Sequence, residues 1–238
     1  MNILVNGDSY THERHFSIED TPELTWAYSL NAKNIALGGC SNDRIFNTTI
    51  EYLNNNKVDV LILGWTAWHR YWLPGRNGLY FHIGSNYCAD DNMTGFNNDD
   101  KKIYEPIQDF YLKNCVNRFL NFKRFTNYYL HLQEHCKMKN IKFLNFLSFQ
   151  EFPDINQIED IASEAHMDKD FLKQGIKYNS KILTDALSKF DKECWVNKEV
   201  GFCFDTWVDT NKLDRWHDGY HPGRQASKQW GELIKAEL

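Results

Sequence analysis

The sequence predicts an α/β protein: a flavodoxin-like three-layer α/β/α sandwich on a parallel sheet of about five strands. Three observations carry that prediction. Short apolar runs at 3–5, 34–37, 58–63 and 141–147 have the length and the Val, Ile and Leu content of buried strands. Segments with helical periodicity stand between them, the alternation expected of parallel strands joined by crossovers. The first three runs also end on turn-forming residues, at Asn6-Gly7-Asp8-Ser9, Gly38-Gly39 and Gly64. Ligands of such sheets sit beyond the carboxyl ends of the strands, so Ser9, Gly39 and Thr66 are expected along one edge.

Taken in order, the first strand is followed by a helix start at Thr21-Pro22-Glu23, with Thr as cap and Pro in the first turn. Leu24, Ala27 and Tyr28 form its apolar face. After the strand at 34–37, Ser41 or Asn42 caps a helix whose apolar side is Ile45, Phe46, Ile50 and Leu53. The strand at 58–63 is interrupted only by Asp59, and Gly64 is expected to end it. Residues 72–100, rich in Gly and Asn and without a period, read as a loop excursion of the kind that often carries function. Ile107, Tyr111, Cys115, Phe119, Phe122, Phe125, Tyr129, Leu132 and Cys136 then step by three or four and draw one long helical stripe. Beyond the strand at 141–147, residues 151–197 read as a helical insertion with a helix near 168–190. Gly201-Phe202-Cys203-Phe204 is the candidate fifth strand. Ala226, Trp230, Leu233 and Ile234 mark a final helix over 224–238. No repeat or linker divides the chain, so 1–238 is expected to be one domain.

Composition narrows the function classes. Hydrophobic residues at 42% and charged residues at 25% are those of an ordinary globular chain, and 238 residues suffice for one sizeable core. A net charge of −5 with no basic stripe argues against nucleic acid and against anionic membrane surfaces. No run approaches the length of a membrane span, and the amino-terminal residues lack the pattern of a secretory leader, so a cytoplasmic chain is expected. The six cysteines show neither C-x-x-C pairing nor zinc spacing and read as reduced thiols. Asp205, Asp209, Asp214, His217 and Asp218 are dense in acid but match no metal loop, so no metal and no cofactor is expected.

Two short blocks hold the residue types that nucleophilic catalysis needs. Gly7-Asp8-Ser9 puts a hydroxyl at a strand-to-loop corner, where neighbouring backbone N–H groups can also face a developing oxyanion. Asp218-Gly219-Tyr220-His221-Pro222 supplies a histidine, whose ordinary pKa suits a general base. Asp218, three residues earlier across a turn, can hold the other ring nitrogen. Each block alone is more often an ordinary turn.

Together, and with the glycines after the second and third strands, these blocks resemble the SGNH hydrolase family, the GDSL-type esterases. The resemblance spans nearly the whole chain. It implies the SGNH hydrolase fold and a serine esterase that cleaves a carboxylic ester through an acyl-enzyme. It makes Ser9 the nucleophile, His221 the base and Asp218 its partner, with Ser9 and Gly39 supplying oxyanion N–H groups. One block departs. The family's G-x-N, whose Asn completes the oxyanion hole, reads Gly64-Trp65-Thr66 here. Thr66 or Asn42 is the expected substitute donor. Asp8, Tyr10, Trp65, Arg70 and Tyr220 are candidate substrate contacts. The ester is expected to be a small molecule or a carbohydrate; a carbohydrate O-acetyl group is what the family resemblance implies together with the aromatic crowding at Trp65, Trp68, Tyr71 and Trp72 and at Trp207, Trp216 and Tyr220. Two other readings compete. The same fold with an incomplete oxyanion hole would serve as a glycan- or partner-binding module. A phosphate-binding module fits less well, because Asp8 and Glu13 would repel phosphate and no glycine-rich phosphate loop occurs.

Overall fold

The computed structural model describes residues 1–12, 25–68, 70–74, 80–83, 106–107, 109–110, 118–149, 152, 181, 184–216 and 218–238. Four strands form the central sheet: β1 (Ile3–Asn6), β2 (Lys33–Asn34), β3 (Val60–Trp65) and β6 (Lys142–Leu147). They lie in the order β2-β1-β3-β6, and every pairing is parallel. This places β1 and β3 in the centre, where both faces are covered and an unbroken apolar run is the sequence that fits. A separate antiparallel pair, β4 (Tyr71–Pro74) and β5 (Tyr80–Ile83), begins the 72–100 excursion.

Successive side chains of a strand point to opposite faces, and the core divides accordingly. Leu4, Leu61, Leu63, Phe143 and Leu147 face one side. They pack on Ile45 and Leu53 of α1 (Asn42–Asn55) and on Phe122, Phe125, Tyr129, Leu132 and Cys136 of α2 (Arg118–Lys139). Val5, Ile62, Leu144 and Phe146 face the other. They meet Trp26, then Phe204 and Val208 of α3 (Phe204–Thr210), then Trp230 and Ile234 of α4 (Arg224–Ala236). The three layers are therefore helix, sheet and helix. Among the described residues, no helix is long and apolar enough to cross a membrane.

Several boundaries differ from the sequence expectation, each for a local reason. β2 is shorter and earlier than 34–37, because the Asn34 side chain accepts the Ala36 N–H at 2.9 Å and bends the backbone away. The N–H groups of Ile35 and Leu37 still reach the carbonyls of Val5 and Gly7. Gly64 does not end β3. It pairs with Phe146 inside the ladder, and its missing side chain leaves room for neighbours: a Cβ there would lie 2.6 Å from Thr11 Oγ1 and 2.9 Å from the Phe146 ring. The proposed fifth strand at 201–204 is a single parallel bridge, Leu147 to Cys203, because α3 begins at Phe204. Tyr28 is exposed rather than part of an apolar face. It opens a 3-10 turn, Tyr28–Leu30, and Trp26, Ala27 and Leu30 are the residues that turn inward. The helix start at 21–23, the rest of the 72–100 excursion, the stripe residues 111 and 115, and the helix near 168–190 except for 181 and its last residues lie outside the described residues, as does most of 151–183.

Gly64→Ala should destabilise the chain by about 1–3 kcal/mol, the usual cost of forcing a methyl group into a filled core. Urea denaturation would measure it, and an unchanged midpoint would show that Thr11 and Phe146 can move aside.

Candidate active site

The loop after β1 is held from several sides before Ser9 is reached. Asn6, fully buried, donates its amide toward the Ile45 carbonyl and the hydroxyls of Thr48 and Thr49 on α1, while its Oδ1 accepts the Gly7 N–H. The Gly7 carbonyl in turn accepts the Leu37 N–H and the Cys40 S–H, each at 3.1 Å, which ties the Gly38-Gly39 turn to the Ser9 loop. Burial pushes the Cys40 thiol up to about 12, so it remains a protonated donor near neutral pH. Gly39 has φ of +71°, the left-handed region that favours glycine. From Asp8 the chain closes a turn, with the N–H groups of Thr11 and His12 on the Asp8 carbonyl and the Tyr10 N–H on Asp8 Oδ1 at 3.1 Å. Ser9 lies inside that turn with 6% of its surface exposed.

The end of β3 meets the same loop. Thr66 donates its hydroxyl to Asp8 Oδ2 at 2.8 Å and accepts Arg70 Nη1 on the same oxygen at 2.8 Å. Asn42 donates its amide to the Thr66 carbonyl and accepts the Thr66 N–H, both at 2.9 Å. Of the two side chains expected as substitute oxyanion donors, Thr66 has its one proton on Asp8, while Asn42 bridges α1 to the end of β3 with one of its two amide N–H donors. Arg70 also sits 3.4 Å from Asp8 Oδ2, and its guanidinium lies 4.5 Å over the Phe149 ring.

The histidine comes from the other end of the chain. His221 Nδ1 lies 2.6 Å from Asp218 Oδ2, and Asp218 Oδ1 accepts the N–H groups of Tyr220 and His221. One carboxylate therefore shapes the turn and orients the ring together, a pairing that favours the tautomer with the proton on Nδ1. Burial works against the Asp218 charge, but the imidazole and the two backbone N–H groups outweigh it and hold its pKa below the usual carboxylate value. The loop is closed by the Trp216 N–H on the His221 carbonyl, and Asp214 anchors α4 by accepting the N–H groups of Gln225 and Ala226.

Tyr10 joins the two halves. Its hydroxyl lies 3.0 Å from Asp205 Oδ1 and 3.1 Å from the Tyr220 carbonyl, and its ring is 5.4 Å from the His221 imidazole. Arg215 completes this clamp with Nη1 on Asp205 and on the Tyr220 carbonyl, and with Nη2 on Asp209. Burial, and then the Asp205 charge, push the Tyr10 phenol well above its ordinary pKa, so it stays a neutral donor.

The expected residues Ser9, Gly39, Asn42, Thr66, Asp218 and His221 therefore gather at one edge of the sheet with Asp8, Tyr10, Arg70 and Tyr220. Trp65 is a correction: it is 0% exposed, packed on Phe125 and donating to Asn145 Oδ1, because an odd position of β3 faces α2. Asp8 and Tyr10, also expected as substrate contacts, are buried and hold the site from beneath. Tyr220, at 75%, is the exposed ring. Phe149, Asp205 and Arg215 were not anticipated. The signal for the last two was present: Asp205 and Asp209 are four apart on one helix face, with a single Arg shortly after.

No family model and no curated protein matches the chain at a significant level. Solved structures do, at low identity. TesA is 11% identical with a TM-score of 0.46, covering 100% of this chain and 98% of its own. The psychrotrophic esterase EstA from Pseudoalteromonas sp. is 10% identical with a TM-score of 0.45, covering 99% and 95%. An acetylxylan esterase from Geobacillus stearothermophilus, Axe2, is 11% identical with a TM-score of 0.46, covering 99% and 93%.

Two outcomes follow from this geometry. Arg215→Ala should cost about 1–2 kcal/mol, the range of charge-assisted hydrogen bonds reduced by partial solvent access. Chemical denaturation measures it, and an unchanged stability would mean the clamp bears no load. Because the folded Asp218 pKa is depressed, its pairing stabilises the fold above the ordinary carboxylate range and is lost as pH falls through the depressed value. Asp218→Asn should accordingly flatten the acid limb of the stability-versus-pH curve, and superimposable curves would contradict the pairing.

Proposed function

We propose that the chain is a serine esterase of the SGNH kind, with Ser9 as nucleophile and the Asp218–His221 pair as its base. The observation that supports this best is the 2.6 Å contact of His221 Nδ1 with Asp218, on a loop whose Tyr220 carbonyl is bonded to the residue after Ser9. In this reading His221 Nε2 takes the Ser9 proton as Oγ attacks the ester carbonyl. The carbonyl pair becomes an oxyanion facing the backbone N–H groups of Ser9 and Gly39. The alcohol leaves with the proton held by His221, and water, deprotonated by the same ring, frees the acyl group. No cofactor enters these steps.

For the substrate we propose a carboxylic ester, with a carbohydrate O-acetyl ester as the finer choice. The exposed ring of Tyr220, adjacent to His221, offers a stacking face for a sugar. The engagement of the Thr66 hydroxyl by Asp8 favours the second reading, a binding module on the same fold.

Ser9→Ala and His221→Ala should each lower turnover of p-nitrophenyl acetate by at least about a thousandfold. A fluorophosphonate should label the wild type and not Ser9→Ala. A wild-type chain that neither labels nor turns over would refute the esterase reading and favour the binding module.

A further inference from the structure

We infer that Arg70 is a catalytic residue of this site, the side-chain donor that stabilises the oxyanion. The inference rests on the esterase reading. The Thr66 hydroxyl has its one proton on Asp8, and Asn42, a neutral amide, has one of its two N–H donors on the Thr66 carbonyl. Arg70 is the cation that the structure brings to the same place. A turn closed by its own N–H on the Ala67 carbonyl folds it back over the end of β3, so that Nη1 reaches Thr66 Oγ1 at 2.8 Å and Asp8 Oδ2 at 3.4 Å.

The group is held rather than loose. Asp8 and Thr66 grip one edge of the guanidinium, and the Phe149 ring supports its face at 4.5 Å. Phe149 is 5.2 Å from the Tyr10 ring, which is 5.4 Å from His221, so Arg70, Phe149, Tyr10 and His221 form a chain of contacts through the residue that follows Ser9. Nε is buried without a hydrogen-bond partner, and among the described residues Nη2 makes no hydrogen bond, while the side chain keeps 14% of its surface open. Nη2, not the buried Nε, is therefore the donor in reserve, and a planar cation with such a donor suits an oxygen that becomes negative.

The electrostatics follow. In the resting site Asp8 balances the Arg70 charge, which makes the cation tolerable at this depth. When Ser9 Oγ bonds to the carbonyl carbon, the π pair moves to the oxygen and the Ser9 proton moves to His221. The new negative charge then forms beside a fixed cation in a site largely closed to water, where such interactions are stronger than in solvent. As the intermediate collapses, the pair returns to the carbonyl, the ester C–O bond breaks and the alcohol takes the proton from His221. Thr66 is a positioning residue in this scheme: it accepts from Arg70 and donates to Asp8, fixing their spacing.

The test compares the full-length wild type with Arg70→Gln and Arg70→Lys, using p-nitrophenyl acetate kinetics and the labelling rate with a fluorophosphonate, whose phosphonyl oxygen occupies the oxyanion position. Arg70→Gln should lower kcat about 100- to 1000-fold, the usual loss for one oxyanion donor, with KM within about twofold and the labelling rate falling in parallel. Arg70→Lys keeps the charge without the planar fork, and should fall between. If thermal melts show Arg70→Gln unfolded, Arg70→Lys is judged by the same split. A rise in KM at constant kcat would make Arg70 a ground-state anchor and overturn the inference, as would unchanged kinetics in a folded variant. A wild type that neither labels nor turns over overturns the esterase reading and this inference with it. An active wild type with an equally active Arg70→Gln overturns this inference alone.

Discussion

The structure depends on the hydrogen bonding of one buried phenol. Tyr10 follows Ser9 immediately, yet its hydroxyl meets Asp205, 195 residues later, and the Tyr220 carbonyl beside His221. A hydroxyl has one proton to donate. Two acceptors compete for it, and Arg215 supplies the donors that the phenol lacks by reaching Asp205 and the Tyr220 carbonyl as well. Without this exchange Asp205 would be a half-buried carboxylate against an apolar ring, an arrangement that costs more than an exposed charge. The ends of the chain are thus joined by polar groups whose burial is acceptable only when they are together.

The same economy governs the rest of the sheet edge, where asparagine side chains stand in for backbone. Loops at the ends of parallel strands leave amide groups buried, and those must find partners. Asn42 forms a reciprocal pair with the Thr66 backbone. Asn34 accepts from Ala36 and donates to the Thr11 carbonyl, and Asn6 spans from the Gly7 N–H to α1. Asn145 receives the Trp65 indole N–H and donates to the Cys194 carbonyl. An amide side chain carries a donor and an acceptor at fixed separation, as the peptide unit does, so it can extend a ladder where the chain has turned away. This polar frame, rather than the apolar core, sets the positions of the Ser9, Gly39 and Thr66 loops.

The sheet was legible in the sequence because burial on both faces favours apolar runs, and 3–5, 58–63 and 141–147 supply them with only Asp59, Lys142 and Asn145 as interruptions. The alternation of those side chains between two cores, Leu61 to one and Ile62 to the other, leaves no mark in a run that is apolar throughout. That is why Trp65 looked available for substrate when it is core. Gly64 was misread for a related reason: a glycine looks like a stop, and only the neighbouring Thr11 and Phe146 show that the absent side chain is a matter of space. The Asp218–His221 spacing was readable because it is local, three residues across a turn. The Arg215 clamp and the Asp8–Thr66–Arg70 grouping join residues far apart in sequence, and proximity of that kind appears only once the strands are aligned.

The join between the ends has a bearing on how the molecule fails. Few proteins open all at once; segments detach first where their attachments are weakest. Here the segment from Phe204 to the carboxyl terminus reaches the opening loop through Tyr10, Asp205, Arg215 and Tyr220. Any excursion that releases it also carries Asp218 and His221 away from the Tyr10 ring and the loop that holds Ser9. In the proposed esterase, activity would therefore be surrendered at the first local detachment, well before the sheet itself comes apart.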